Sequence, residues 1–172
     1  ETAGAPVAPA ADGTGRQIRL TLRDLQQRQP IRLGSTHGEI GIPFGVRSDA
    51  VVTAATMTLT FAYSPALLGD LSQMVVLVNG ETVRTIPLVR ETAGGTQLTF
   101  PVDPALFLPG DNRLNLRFLG HYARDCEDPF HSSLWANISN TRTYLDLSVQ
   151  PLPLNPNLSR WPAPFVDRAD PR

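Results

Sequence analysis

Hydrophobic and polar residues alternate along most of this chain in short runs. Alternation places successive side chains on opposite faces of a strand, so each run predicts a β-strand with one buried face. The runs cover residues 18–22, 40–44, 57–63, 98–102, 114–118 and 145–149. Each ends at Gly, Pro, Asp or Asn, and 16 prolines with 13 glycines argue against long helices. Many short strands predict an all-β fold, a β-sandwich with one or two short helical turns.

Turn residues locate some of the connections. Asn79-Gly80 separates two apolar segments, residues 74–78 and 81–86. This dipeptide favours a type I′ hairpin turn because both of its residues take positive φ. Residues 65–70 and 103–108 each predict one helical turn, the second with Asp as its N-cap and Pro at its first helical position.

The two ends of the chain differ in composition from the alternating part. Residues 1–15 contain few large apolar side chains and cannot bury enough surface to offset the entropy of ordering, so we expect a disordered spacer. Residues 151–172 are rich in proline, which excludes a central strand, and carry Trp161 and Phe165 without periodicity. We expect one β-sandwich domain over residues 16–150, followed by a segment that leads to a further domain outside this chain.

The charge of the chain is nearly balanced, with a formal net of -1 and a pI near 6.3. A nucleic-acid-binding protein needs a clustered basic surface, so no nucleic-acid partner is expected. No run approaches the roughly 18 consecutive apolar residues that a membrane-spanning helix requires. Any membrane tether is therefore expected in regions outside this chain.

The densest group of chemically active residues lies in residues 120–140, GHYARDCEDPFHSSLWANISN. Cys126 is flanked by acids rather than by the electropositive surroundings of a catalytic thiol. The acids and histidines fit neither a zinc nor a calcium motif. A glycosidase needs two carboxylates that flank one glycosidic bond. Asp125 and Glu127 are near neighbours on one extended segment and would not flank such a bond. We expect no catalytic residue, metal, cofactor or enzymatic activity, and we assign Asp125, Glu127, Asp128 and His131 to structuring of the loop.

Two aromatic residues of the same stretch are candidates for contact with carbohydrate. A flat aromatic ring can cover the apolar face of a sugar while polar neighbours bond its hydroxyls. Trp135 is the first candidate and Tyr122 the second. The alternative is that Trp135 begins a strand and plugs the end of the sandwich. The sequence leaves both interpretations open.

Three segments of the chain resemble the family of the periplasmic B subunit of bacterial cellulose synthase. They are residues 120–140, residues 42–68 (IPFGVRSDAVVTAATMTLTFAYSPALL) and residues 71–88 (LSQMVVLVNGETVRTIPL), in the order of that family's first domain. The resemblance implies a jelly-roll β-sandwich like those of carbohydrate-binding modules. It also implies that the tryptophan matching Trp135 lies close to the emerging polymer. It further implies a disulfide between Cys126 and a cysteine of the next domain.

The same resemblance implies a non-catalytic function that scaffolds the synthase and guides the emerging β-1,4-glucan. The implied partners are the catalytic A subunit, the glucan chain and other copies of the B subunit. The implied location is the periplasm, with attachment to the inner membrane through a C-terminal part outside this chain. One alternative is a stand-alone glycan-binding or adhesion module. A glycoside hydrolase is a further, less favoured alternative.

This family is often described as binding cyclic di-GMP. That ligand carries two phosphates, for which arginine clusters or a glycine nest are typical. Gly94-Gly95 with Arg84 and Arg90 come nearest to such a site in the sequence. The resemblance implies instead that the catalytic partner senses the dinucleotide on the cytoplasmic side, so we expect no nucleotide here.

Overall fold

The computed structural model describes residues 15–152, and the predictions made for residues 1–14 and 153–172 lie outside the described residues. The described part is all-β, as predicted, with two short 3-10 turns at Arg90–Thr92 and Pro104–Leu106. Its strands are β1 (Arg16–Thr21), β2 (Ile31–Gly34), β3 (His37–Val46), β4 (Ala50–Tyr63), β5 (Gln73–Val78), β6 (Glu81–Pro87), β7 (Thr96–Val102), β8 (Gly110–Leu119), β9 (Trp135–Ile138) and β10 (Tyr144–Pro151).

The strands form two antiparallel sheets. Sheet B has the order β3-β8-β5-β6. In sheet A the long strand β4 is central. Along one of its edges β10 pairs with the first part of β4 and β9 with its last residues, while β7 pairs along the opposite edge. The strands β1 and β2 border β10 and β9, respectively.

The core lies between the two sheets and is built from the alternating apolar residues. One continuous hydrophobic cluster contains the inward side chains of both β4 and β8. Burial of a large apolar side chain stabilises the folded state by roughly 1.5–3 kcal/mol. The buried members from these two strands include Met57, Leu59, Phe61, Tyr63, Leu114, Leu116 and Phe118. The predicted jelly-roll β-sandwich is confirmed.

The hairpin between β5 and β6 forms at the predicted dipeptide. Asn79 has φ 52° and Gly80 has φ 88°, as a type I′ turn requires. The Asn79 side chain also reaches beyond the hairpin. Its Oδ1 accepts from the amide of Arg113 at 2.8 Å, and its Nδ2 donates to the carbonyl of Leu106 at 2.7 Å and to Oδ1 of Asn112 at 2.8 Å. The turn is therefore fastened to the start of β8.

Of the two predicted helical turns, one is confirmed and the other is wrong. The 3-10 turn Pro104–Leu106 follows Asp103, whose side chain accepts from the amide of Ala105 at 2.9 Å. Residues 65–70 form turns without a helix. The reason is that the amide of Leu68 donates to the carbonyl of His121, a residue of the β8–β9 loop, instead of to its own segment.

A detour at residues 139–143 interrupts what would otherwise be a single strand made of β9 and β10. The hydroxyl of Thr143, which is fully buried, accepts from the amide of Thr60 at 3.1 Å and donates to the carbonyl of Thr60 at 3.2 Å. The side chain thus supplies the acceptor for the Thr60 amide, while the Thr60 carbonyl also accepts from the amide of Ser139 at 2.9 Å. The hydroxyl of Thr60 in turn donates to the carbonyl of Arg142 at 3.0 Å, which fixes Arg142 beside the outer face of sheet A.

Candidate functional site

Residues 120–134 connect β8 to β9 and carry most of the predicted site residues. The carbonyl of Pro129 accepts from the amide of Thr36 at 3.1 Å, and the carbonyl of His121 accepts from the amide of Leu68 at 2.7 Å. The hydroxyl of Ser72 accepts from the His121 amide at 3.0 Å and donates to the His121 carbonyl at 3.1 Å. These bonds hold the loop against the end of the sandwich.

The carboxylate of Glu127 is the centre of the hydrogen bonds within the loop. Its Oε1 accepts from the amides of Tyr122 at 2.6 Å and Ala123 at 3.4 Å. Its Oε2 accepts from Nδ1 of His121 at 2.7 Å. A carboxylate has only acceptors, so Nδ1 of His121 carries the proton. One side chain therefore closes residues 121–127 into a compact turn.

These bonds set the ionisation of Glu127. Burial acts to raise the pKa of the carboxyl group, since it disfavours the charged form. The bonds from the Tyr122 amide, the His121 ring and the Ala123 amide outweigh burial, so the pKa of Glu127 lies below its ordinary value. The residue is ionised at neutral pH and accepts hydrogen bonds at full strength.

The loop uses Tyr122 for its own packing. The phenol ring stacks on His131 with centroids 4.3 Å apart and planes 23° from parallel. Its hydroxyl accepts from the amide of Asp128 at 2.9 Å, and the ring packs against the core cluster. His131 thus covers one face of the ring, and the contact of Tyr122 with carbohydrate stays a prediction. His131 meanwhile covers Tyr122, and its Nδ1 accepts from the amide of Ser133 at 3.2 Å.

The two aspartates of the loop differ in their contacts. Oδ1 of Asp128 accepts from the amide of Phe130 at 3.0 Å, an Asx-type turn across the intervening proline. Asp125 is exposed and has no hydrogen bond within residues 15–152, so no contact supports its assignment as a loop-structuring residue. Arg124, which neighbours Asp125 in sequence, donates instead to Asp70 at 2.5 Å.

Cys126 and Phe130 lie on the outer surface of the loop. The thiol of Cys126 is free and exposed, and its backbone has a φ of 48°. Phe130 is 83% exposed, more than any other large hydrophobic residue in the described part of the chain. This surface offers a reachable thiol and an apolar ring to another molecule or domain.

Trp135 begins β9 and points to the outer face of sheet A. The buried residues of this strand are Ala136 and Ile138, so Trp135 and Asn137 take the opposite face. The indole is partly exposed, and the residue across from it on β2 is Gly34, which has no side chain to cover it. The Trp135 side chain is therefore not a plug in the core but lies partly exposed on the outer face of sheet A.

One cation lies near this indole. The guanidinium carbon of Arg32 is 5.9 Å from the centroid of the Trp135 ring, at the outer limit of a cation–π contact. Arg32 is exposed and pairs across the strands with Asn137. Within residues 15–152, no hydrogen bond or ion pair occupies the donors of its side chain.

A cleft of about 500 Å³ lies on the outer face of sheet A and is lined by Asn137, the next outward-facing residue of β9 after Trp135. Its polar side chains include Asn137, Gln97 and Arg142. The sequence analysis missed these residues. Alternation along β9 could have placed Asn137 on the face of Trp135, but the pairing of β4 with β7 and the detour that positions Arg142 are long-range features. No local pattern signals them.

The structure offers no metal centre among residues 15–152, where no three His, Cys, Asp or Glu side chains are grouped to hold an ion.

The residues considered for nucleotide binding belong to different sheets. Gly94 and Gly95 line the cleft on sheet A, whereas Arg84 belongs to β6 of sheet B. None of the described helical segments has the length and hydrophobicity needed to cross a membrane.

Several known proteins are similar to this chain. A "Cyclic di-GMP-binding protein" of Xanthomonas axonopodis pv. citri is 48% identical over 166 residues, which cover 96% of this chain and 21% of the relative. Its namesake in Pseudomonas fluorescens is 44% identical over 172 residues, 100% of this chain and 22% of the relative. "Cellulose synthase 2" of Novacetimonas hansenii is 38% identical over 164 residues, 95% of this chain and 10% of the relative. The chain thus spans a small part of each relative.

Among solved structures, one match is the CBM36-1 domain of a multidomain xylanase from the hindgut metagenome of Trinervitermes trinervoides. It is 12% identical, with a TM-score of 0.41 over 77% of this chain and 96% of that domain. Residues 15–151 match the family model described as "Cellulose synthase BcsB, first CBM domain". Because this match covers nearly all of the described residues, the chain belongs to the family of the first carbohydrate-binding-module domain of the cellulose synthase subunit BcsB.

Proposed function

We propose that this domain is a non-catalytic part of a periplasmic cellulose synthase subunit and guides the emerging β-1,4-glucan by contact with Trp135. One observation carries the proposal: the indole is partly exposed on the outer face of sheet A, in a domain of a cellulose synthase family. The apolar face of a glucose ring can rest on the indole, while Arg32 donates to the hydroxyl groups. Tyr122 is left out of this contact because its ring is packed within the loop.

This contact has to be weak. An aromatic platform contributes about 1–2 kcal/mol beyond the area it buries. A polymer that slides past the domain cannot be held tightly at each step. We therefore expect a dissociation constant near 1 mM for cello-oligosaccharides, which corresponds to about 4 kcal/mol.

The partners proposed for the whole subunit are the catalytic subunit of the synthase, the glucan and other copies of the same subunit. The names of the relatives, which include a cellulose synthase, support an association with the synthase. The subunit would be held at the inner membrane by parts outside this chain, and this domain would act as a scaffold beside the glucan exit. Co-purification with an inner-membrane glycosyltransferase would separate this function from a stand-alone adhesion module. Release of reducing ends from soluble glucan would indicate a hydrolase instead.

Trp135→Ala in the full-length subunit of a reconstituted synthase tests the proposal. We expect cellulose output to fall several-fold while the isolated domain keeps its melting temperature, since the indole lies outside the core. Trp135→Phe keeps an aromatic face and should retain part of the output, whereas Trp135→Leu keeps only apolar bulk and should behave like the alanine variant. Full output from a folded alanine variant would contradict the proposal.

Cyclic di-GMP is a second candidate ligand because two of the relatives reported above are named as proteins that bind it. The charge of the cleft does not favour it. Among residues 15–152, Arg142 is the only charged side chain that lines the cleft, whereas a ligand with two phosphates is typically held by several arginines. Titration of the purified chain with cyclic di-GMP should give no calorimetric signal. Stoichiometric binding that Arg142→Ala abolishes would establish this second function instead.

A further inference from the structure

We infer that the cleft beside Trp135 is a second contact site for the same neutral glucan, so that the chain crosses sheet A from Trp135 over Asn137 toward Gln97. This inference rests on the proposed contact at Trp135 and extends it to residues with no assigned role. It commits to an uncharged, hydroxyl-rich polymer as the ligand.

The two sites lie on the same face of sheet A. Trp135 and Asn137 project from the same face of β9, about 7 Å apart along the strand. Across the sheet, Asn137 pairs with Ala62 of β4, whose small side chain projects little above the surface of the sheet. The next strand beyond β4 is β7, which carries Gln97 opposite Thr60. Two strand spacings across the sheet, about 10 Å, and an offset of two residues along β4, about 7 Å, place Asn137 and Gln97 roughly 12 Å apart.

The polar groups along this path are not used by the fold. Within residues 15–152, the side chains of Asn137, Gln97 and Arg142 make no hydrogen bond or ion pair. Amides both donate and accept, and a guanidinium donates, so together they match the hydroxyl groups of a sugar. The volume of about 500 Å³ lies in the range of small-ligand sites. A cleft with free amides and one charge fits a neutral polymer better than an ionic ligand.

A second depression on the same face provides a contrast. Its arginine, Arg19, already forms two bonds with Asp146, at 2.7 and 2.8 Å, and lies 4.1 Å above the Tyr144 ring. The charged groups of this depression therefore bond to each other. Gln17 also lines the depression. Gln17 is thus an exposed glutamine on the same sheet face but off the inferred path. It supplies a matched control for Gln97.

The experiment is an NMR titration of the purified chain with cellohexaose and with cellobiose. It monitors the side-chain amide signals of Asn137, Gln97 and Gln17 and the indole N–H of Trp135. We expect cellohexaose to shift the signals of Trp135, Asn137 and Gln97 but not that of Gln17. The shorter sugar cannot span both sites and should bind more weakly.

The variants Asn137→Ala and Gln97→Ala should each raise the dissociation constant of cellohexaose about fivefold, as expected for one lost hydrogen bond. Gln17→Ala should leave it unchanged. All three should fold, because none of these side chains bonds to another described residue. A shift of the Trp135 signal alone, with both variants binding as the parent does, would overturn the cleft but leave the proposed function standing. If no signal moves at the highest soluble concentration, both the cleft and the proposed contact at Trp135 fail.

Discussion

At the scale of single residues, the side chain of Glu127 stabilises the turn formed by residues 121–127 in the β8–β9 loop. Its carboxylate accepts three hydrogen bonds, whereas Asp125, two positions earlier, accepts none from the described residues. The sequence shows that both belong to a dense polar string, but it does not distinguish them. The distinction depends on which carboxylate turns back toward the amides of residues 122 and 123. That is a property of the folded loop and not of residue type.

Replacement of Glu127 by glutamine should destabilise the domain by about 2 kcal/mol at neutral pH, because hydrogen bonds to a charged acceptor are lost or weakened. The folded state lowers the pKa of this carboxyl group. Its contribution is therefore complete above the ordinary glutamate pKa of about 4.3 and is lost as the pH falls through the lower folded value. Urea denaturation between pH 7 and pH 2 measures this. The stability of the parent and of Glu127→Gln should converge in acid.

Asp125→Asn is the matched control in the same loop. It removes a carboxylate that has no bond within residues 15–152, so its stability should follow that of the parent at every pH. If Asp125→Asn and Glu127→Gln lose equal stability at neutral pH, general charge in the loop, and not the bonds of Glu127, holds it in place.

Elements were predictable wherever local chemistry determines them. The hairpin between β5 and β6 follows from the dihedral angles of Asn79-Gly80, and the turn after Asp103 follows from its cap. The absent helix at residues 65–70 and the detour before Thr143 could not be predicted. Both arise because a distant segment supplies the hydrogen-bond partner, His121 in one case and Thr60 in the other. The cleft depends on the same detour, which explains why its residues escaped the sequence analysis.

At Asn79 the backbone and side-chain contributions can be separated by two substitutions. Asn79→Gly keeps the positive φ but removes the bonds to Leu106, Asn112 and Arg113, which should cost about 2 kcal/mol. Asn79→Ala removes the same bonds and adds the penalty of a left-handed backbone, about 1 kcal/mol more. Chemical denaturation of both variants measures the two terms. Equal stability of the alanine variant and the parent would show that the side chain does not fasten the hairpin to β8.

On the scale of the whole molecule, the candidate site and the ends of the described chain lie at opposite ends of the sandwich. Trp135 and the β8–β9 loop adjoin the last residues of β4, and the amide of Ser64 donates to the carbonyl of Trp135. Leu152, by contrast, donates to the carbonyl of Asp49, just before β4 begins. The 14 residues of β4 span roughly 45 Å. The end of the sandwich that carries Trp135 is thus remote from Leu152.

This arrangement gives a physical meaning to the exposed surface around Cys126. A segment that follows residue 152 must travel back along the sandwich to reach it, about a dozen extended residues or more. A disulfide bond at Cys126 would hold a later part of the subunit against the β8–β9 loop, which ends at Trp135. Phe130, which is largely exposed in the same loop, would be covered by such a contact. Such a clamp would fix the orientation of Trp135 relative to the rest of the subunit.

We therefore predict that Cys126 is disulfide-bonded in the full-length exported subunit, although it is free and exposed in this chain. Exported proteins are kept under oxidising conditions, where an exposed thiol with a partner in reach pairs with it. Peptide mass spectrometry of the oxidised subunit should recover Cys126 cross-linked to a cysteine beyond this domain. Cys126→Ser should leave the melting temperature of the isolated domain unchanged, because the thiol is exposed and forms no disulfide within residues 15–152, but should lower that of the full-length subunit. A Cys126 that is alkylated without prior reduction in the intact protein would exclude the clamp.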